Sequence, residues 1–113
     1  MLIKRGDLFW VNPDPARGSG QAGRRPVVVL QNDIGNEMAA TAIVAPLTTK
    51  SFSKEYPTNV CLSKGTAGLK SDSTVLLSQI RTLDKTRLEK KIGRLPETSM
   101  TQVNQAVKIS LGL

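Results

Sequence analysis

Histidine is absent from the 113 residues and cysteine occurs once, at Cys61. That excludes imidazole acid–base chemistry, a Ser-His or Cys-His pair, a His-bearing zinc site and an internal disulfide together. The polar groups left for chemistry are Arg, Lys, Asp, Glu, Ser, Thr and Tyr, and their positions decide what they can do. Arg24-Arg25-Pro26 stands where a glycine-rich stretch meets an apolar β-branched run, Val27-Val28-Val29, so a guanidinium there is held at a rigid edge. A planar, permanently charged fork at such a place suits a phosphate, although Arg25 could equally pair with Asp7 or Asp33. Thr48-Thr49-Lys50-Ser51 follows a second apolar run. Its hydroxyls either bind phosphate oxygens or close an ordinary turn on their own backbone. Gln79, followed by Arg81, makes a third polar strand end.

The charge agrees with an anionic partner. Sixteen Lys and Arg against nine Asp and Glu leave +7, an excess that on so small a body favours nucleic acid first and an acidic protein segment second. Composition is that of a folded protein, with 39% hydrophobic and 22% charged residues and too few glycines and prolines for a low-complexity chain. The length is that of one domain, residues 1–113. No run approaches the 18 or so apolar residues of a membrane span, and residues 1–7 contain Lys4 and Arg5 but no apolar stretch for a signal peptide. A cytoplasmic protein with no membrane partner is the expectation.

The elements that must position these groups are mostly strands. Phe9-Trp10-Val11 reads as a strand stopped by Asn12-Pro13-Asp14-Pro15. Residues 12–24 hold Gly18, Gly20 and Gly23 and no large apolar anchor, which predicts a mobile loop longer than a usual hairpin connection. Further strands are expected over residues 26–30, 41–46, 59–62, 73–77 and 91–95, the first of them buried on both faces. Trp10 is read as core filling, with base stacking as its alternative, and Cys61 as a small buried residue. Met100, Val103, Ala106, Val107 and Leu111 share one helical face, with Thr98 or Ser99 placed to cap the start, and Asp84 can cap a single turn through Arg87. Short strands at this spacing, without a helix long enough for a parallel crossover, predict a mainly β fold: a small antiparallel barrel or tightly curled sheet with a C-terminal helix.

Arg5-Gly6-Asp7, the run from Gly18 to Val27 (Gly18-Ser19-Gly20-Gln21-Ala22-Gly23-Arg24-Arg25-Pro26-Val27), Leu30-Gln31-Asn32-Asp33, Ala45-Pro46-Leu47-Thr48-Thr49 and the run from Leu77 to Asp84 occur in an order and spacing that resembles the MazF/PemK family of toxin endoribonucleases. The resemblance covers nearly the whole chain. It implies an SH3-like barrel that forms a homodimer, cuts single-stranded RNA at short motifs without a metal or other cofactor, and is blocked by a MazE-type antitoxin in the RNA groove. The implied cleavage uses the RNA's own 2′-hydroxyl and leaves a 2′,3′-cyclic phosphate and a 5′-hydroxyl. Carried over by position, Arg25 matches the catalytic arginine and Thr48 the catalytic threonine. Arg5, Ser19, Gln21, Arg24, Thr49, Lys50, Gln79 and Arg81 are the expected substrate contacts. The chain departs from many relatives at Gly20, where they have a glutamate, so a general base cannot come from that position. CcdB-like toxins share the implied fold and bind gyrase without cleaving, but their terminal tryptophan is replaced here by Leu111-Gly112-Leu113. A non-catalytic RNA-binding barrel is the third reading.

Overall fold

Alternation along the valine run sets the architecture. In the computed structural model, which describes residues 2–12 and 24–113, strand β2 (Arg25–Val29) sends Val28 into one apolar cluster and Val27 and Val29 into another. The strand is therefore buried on both faces, as its uninterrupted valines require. Its neighbours are β1 (Asp7–Val11) on one side and β3 (Thr41–Thr48) on the other, both antiparallel. The remaining strands are β4 (Asn59–Leu62), β5 (Ser73–Leu76), β6 (Arg81–Asp84) and β7 (Leu88–Arg94). Among the described residues the sheet runs β4-β5-β3-β2-β1-β7, with β6 also paired to β3. The fold is thus the expected mainly β type, a strongly curled antiparallel sheet that stops short of a closed ring.

Strand β3 carries the curl. Its first half pairs with β6, at Thr41 to Val44, and its last two residues with β5, at Leu47 and Thr48. One long strand therefore belongs to two sheet segments and turns between them. The C-terminal helix α2 (Glu97–Leu111) closes one face by burying Val103 and Ala106 against Leu8, Val28, Leu47 and Val60. A fully buried valine of this kind contributes about 1.5–3 kcal/mol. The second cluster, with Phe9, Val27, Val29, Val44 and Leu88, fills the other side.

Several local expectations are corrected. The start of α2 is at Pro96, with no side-chain cap, so Thr98 and Ser99 lie inside the helix, and proline's fixed φ does the work of ending the preceding strand. Leu111 is 56% exposed because the inward face of the last turn is Ser110, whose hydroxyl donates to the Leu77 carbonyl at 2.7 Å, and Leu111 lies one step further round the helix. Cys61 is exposed: Val60 and Leu62 take the buried side of β4, and strict alternation sends the residue between them outward. The segment after Leu30, where the sequence predicts no element, is a short helix, α1 (Asp33–Met38), whose first turn is capped by the Asn32 side chain accepting from the Gly35 N–H at 2.8 Å. Strand β6, absent from the sequence reading, is four residues long with only Leu83 buried, too little periodicity to see. The Asp84 cap is present, accepting from the Thr86 N–H at 2.9 Å. The expected mobile loop falls largely on residues 13–23, outside the described residues. Among the described residues no helix is long and apolar enough to cross a membrane.

Two of these details carry predictions. Gly93 in β7 lies so close to the 3₁₀ turn Thr66–Gly68 that an added Cβ would meet the Ala67 carbonyl oxygen at 2.2 Å. Backbone cannot yield as a side chain can. Gly93→Ala is therefore expected to destabilise by about 1–3 kcal/mol, seen as a lower urea midpoint. The second concerns acid. Asp33 accepts from the Arg5 N–H and the Asn36 amide, and Asp84 from the Thr86 N–H and hydroxyl, and these bonds hold both carboxyls below their ordinary value of 3.8. A folded-state value below the unfolded one means that this stabilisation is complete above the unfolded value and is lost as pH falls through the folded one. The urea midpoint should therefore drop below about pH 4, and Asp33→Asn should flatten that drop.

Candidate active site

The two strand ends singled out in the sequence meet. The β2–β3 register pairs Val27 with Pro46 and Val28 with Ala45, and carried two residues beyond Val27 it sets Arg25 opposite Thr48. Alternation places both on the same side of the sheet. Arg25, Thr48, Arg24 and Thr49 line one cavity of about 560 Å³, together with Trp10, Lys70, Lys90 and Lys91 among others. Arg25 is exposed and takes part in no ion pair among the described residues, so the pairing with Asp7 or Asp33 is not what holds it. Asp7 instead binds Arg94 and Lys91, and Asp33 accepts from the Arg5 backbone.

Thr48 closes a local turn. Its Oγ1 accepts the Lys50 backbone N–H at 3.1 Å, which is the turn read from sequence. With a lone pair engaged there, the hydroxyl hydrogen is directed elsewhere and can donate to an anion in the cavity.

The cavity is strongly cationic. Arg24, Arg25, Lys70, Lys90 and Lys91 line it, and no carboxylate does among the described residues. A concave wall of one sign raises the local concentration of an anionic ligand. Lys91 is held at that wall by Asp7, fully buried, at 3.3 Å, and Arg94 donates through Nε to the same carboxylate oxygen at 2.8 Å, which raises the Arg94 pKa. The Lys4 N–H takes the other oxygen at 2.9 Å. Beside it, the close approach of Gly93 in β7 to Ala67 fixes the turn that leads into Leu69, Lys70 and Ser71.

Trp10 is a correction. Leu8, Phe9 and Val11 are buried, whereas Trp10 is half-buried at the cavity wall, with the Arg24 guanidinium 5.7 Å from its ring centroid. Leu8 already fills its side of the core beneath α2. Two residues further along β1 the sheet has left that cover, and the indole meets Arg24 instead.

The other expected contacts divide. Thr49 and Ser73 also line a second depression, of about 1050 Å³, between β4 and the polar face of α2, so the two cavities adjoin. Lys50 belongs to this second one, its ammonium 5.7 Å from the Phe52 ring centroid. Arg5 is engaged elsewhere: its Nε donates to the Leu30 carbonyl at 2.8 Å and its Nη2 to Asn104 at 2.7 Å, tying β2 to α2. Gln79 and Arg81 are exposed and line neither cavity. Ser19 and Gln21 lie outside the described residues. Lys70, Lys90 and Lys91 are wall residues that sequence reading missed, whereas Trp10 is read there as core filling with base stacking as its alternative. The consecutive lysines of β7 carried a signal in their charge, but nothing in one strand tells which cavity it will border.

A small, curled, mainly β fold with a cationic cavity built from an arginine and a threonine on adjacent strand ends defines a class of basic protein suited to a phosphodiester ligand. Residues 4–111 match the family model described as PemK-like, MazF-like toxin of type II toxin–antitoxin system, and the chain belongs to that family. It is 46% identical over 113 residues to Endoribonuclease EndoA of Bacillus subtilis, covering 100% of this chain and 97% of that protein. It is likewise 46% identical over 112 residues to Endoribonuclease MazF of Staphylococcus saprophyticus, covering 99% and 93%. Among solved structures, the MazE–MazF complex of Deinococcus radiodurans is similar with a TM-score of 0.81 at 29% identity, over 100% of this chain and 98% of that one. A mycobacterial endoribonuclease in complex with its cognate antitoxin has a TM-score of 0.82 at 23% identity, over 98% and 96%, a likeness of fold.

Proposed function

We propose that this chain is the toxin of a type II toxin–antitoxin pair and a metal-independent endoribonuclease of the cytoplasm, acting on single-stranded RNA as a homodimer and restrained by a MazE-type antitoxin. One unit spanning residues 1–113 carries the activity. The observation that supports this reading most is the juxtaposition of Arg25 and Thr48 in a cationic cavity, in a chain of this family.

The chemistry follows from the groups present. The RNA 2′-hydroxyl attacks the adjacent phosphorus, an O2′–P bond forms, the P–O5′ bond breaks, and the proton lost from the 2′-oxygen is balanced by one gained at the 5′-oxygen. Negative charge grows on the phosphate oxygens as this happens. Arg25, forked and in no ion pair among the described residues, meets that charge, and Thr48 donates to another phosphate oxygen. Arginine stays protonated and is a poor base, Gly20 supplies no carboxylate, and none lines the described cavity. Activation of the 2′-hydroxyl therefore rests on in-line orientation and on the field of the cations, with water accepting the proton. Arg24 and Thr49 border the same cavity, and Lys50 extends the contact surface toward Phe52.

The test is incubation of the purified protein with a long unstructured RNA in EDTA, beside Arg25→Ala, followed by mapping of the new ends. Cyclic phosphate and 5′-hydroxyl ends at a repeated short motif, lost in the control, are the expected result. Intact RNA would overturn the reading in favour of a non-cleaving gyrase-binding toxin or RNA-binding barrel. Affinity for uncleavable RNA should fall with salt at a log–log slope near −0.7 per phosphate neutralised, and a flat response would remove the cavity from the binding surface.

A further inference from the structure

We propose that Trp10, Arg24 and Glu89 form a stacking platform that seats one nucleobase beside the scissile phosphate, with Glu89 as its positioning residue. The proposal rests on the ribonuclease reading above and adds a determinant of which RNA motif is cut.

Arg24 is fixed from two directions. Its guanidinium lies 5.7 Å from the Trp10 ring centroid, and its Nε donates to Glu89 Oε1 at 2.7 Å. Trp10 and Arg24 line the cavity that holds Arg25 and Thr48, whereas Glu89 does not and acts through Arg24. Neighbouring arginines are thereby given different tasks. Arg25 has no ion pair among the described residues and offers its full charge to a phosphate. Arg24 has its charge offset by Glu89, which makes it a poor phosphate clamp and leaves its guanidinium plane beside the indole. Such a plane suits the face of an unpaired base, since guanidinium planes and indoles both stack on bases. A free arginine side chain would spend orientational freedom to do this, and the carboxylate at its edge removes that freedom before RNA arrives.

The chain has a single tryptophan, so its emission reports this position alone. The probe is a short single-stranded RNA carrying the motif that the wild type cuts, 2′-O-methylated throughout so that no nucleophile remains. Saturating probe should change Trp10 emission in the wild type. In Glu89→Gln, one negative charge is removed, so affinity for RNA in general should hold or rise. The emission change should nonetheless shrink, and the kcat/KM ratio between the preferred motif and its single-base variants should narrow about tenfold. Arg24→Ala should lower kcat/KM on the preferred motif by about tenfold. The side chains of Arg24 and Glu89 are 50% and 31% exposed, so neither change threatens folding. A wild type that cuts RNA while Trp10 emission stays unmoved, or variants that keep wild-type motif ratios, would overturn the platform and leave the ribonuclease intact. RNA left uncut by the wild type would overturn both.

Discussion

Arg25→Lys should reduce RNA cleavage by about 10²–10³-fold while leaving the urea midpoint where it was. The two halves of that expectation have separate grounds. Lysine keeps the positive charge, so long-range attraction of RNA survives, but it replaces a planar fork of several donors by a point charge that cannot bridge two phosphate oxygens. The lost interaction is one that strengthens as charge develops on the phosphate, so the loss should fall on kcat more than on KM. Stability should hold because Arg25 is exposed, sits at the open end of β2 and enters no ion pair among the described residues. Single-turnover cleavage of a mapped motif measures the first half and urea denaturation the second. Near-normal cleavage would show that Arg25 is peripheral to the chemistry, and a lowered midpoint would show that it props the fold instead.

The largest stability effect belongs to Asp7, which is fully buried at the start of β1. Its oxygens receive the Arg94 Nε at 2.8 Å, the Lys91 ammonium at 3.3 Å and the Lys4 N–H at 2.9 Å. Asp7→Ala removes the acceptor from all three and strands the Lys4 amide. Losses of buried, hydrogen-bonded charge partners of this kind cost about 3–5 kcal/mol. Both cationic partners are partly exposed and can turn to water, which puts the expected value near the lower end, about 3 kcal/mol. Arg94→Gln should cost less than Asp7→Ala, since Lys91 remains beside the carboxylate. The consequence reaches the cavity: Lys91 lines it and is held there by Asp7. Where Asp7→Ala still folds, its affinity for RNA should be lower as well. An unchanged urea midpoint would mean that the buried carboxylate contributes nothing net.

Core and site were legible to different degrees. The uninterrupted valine run identified β2, Asn59–Leu62 matched β4 to the residue, and the apolar face centred on Val103 and Ala106 identified the helix, because each rests on a short-range pattern. Helix α1 escaped because it is six residues long and its Asn32 and Gly35 read as the boundary of the preceding strand, while its contacts are both local and distant. Gln31 and Asn36 bond each other beneath it, and the Lys85 ammonium donates to the Asn36 carbonyl from far along the chain.

By itself, the sequence determined the mainly β class with its C-terminal helix, the basic balance, the absence of imidazole chemistry and the order of motifs that marks the family. It also located Arg25 and Thr48 at strand ends, since each flanks an apolar run, Val27-Val28-Val29 or Ile43-Val44-Ala45, on its polar side. Only the tertiary structure decided that the two ends lie opposite each other, because register between strands is set by side chains meeting across the sheet. It also decided which residues of each type reach the cavity. Arg24 lies at its wall while Arg5 braces α2, Trp10 lines it while Phe9 is core, and Lys91 joins it through Asp7, more than eighty residues away in sequence. Alternation tells that two faces exist, and only packing tells what covers each.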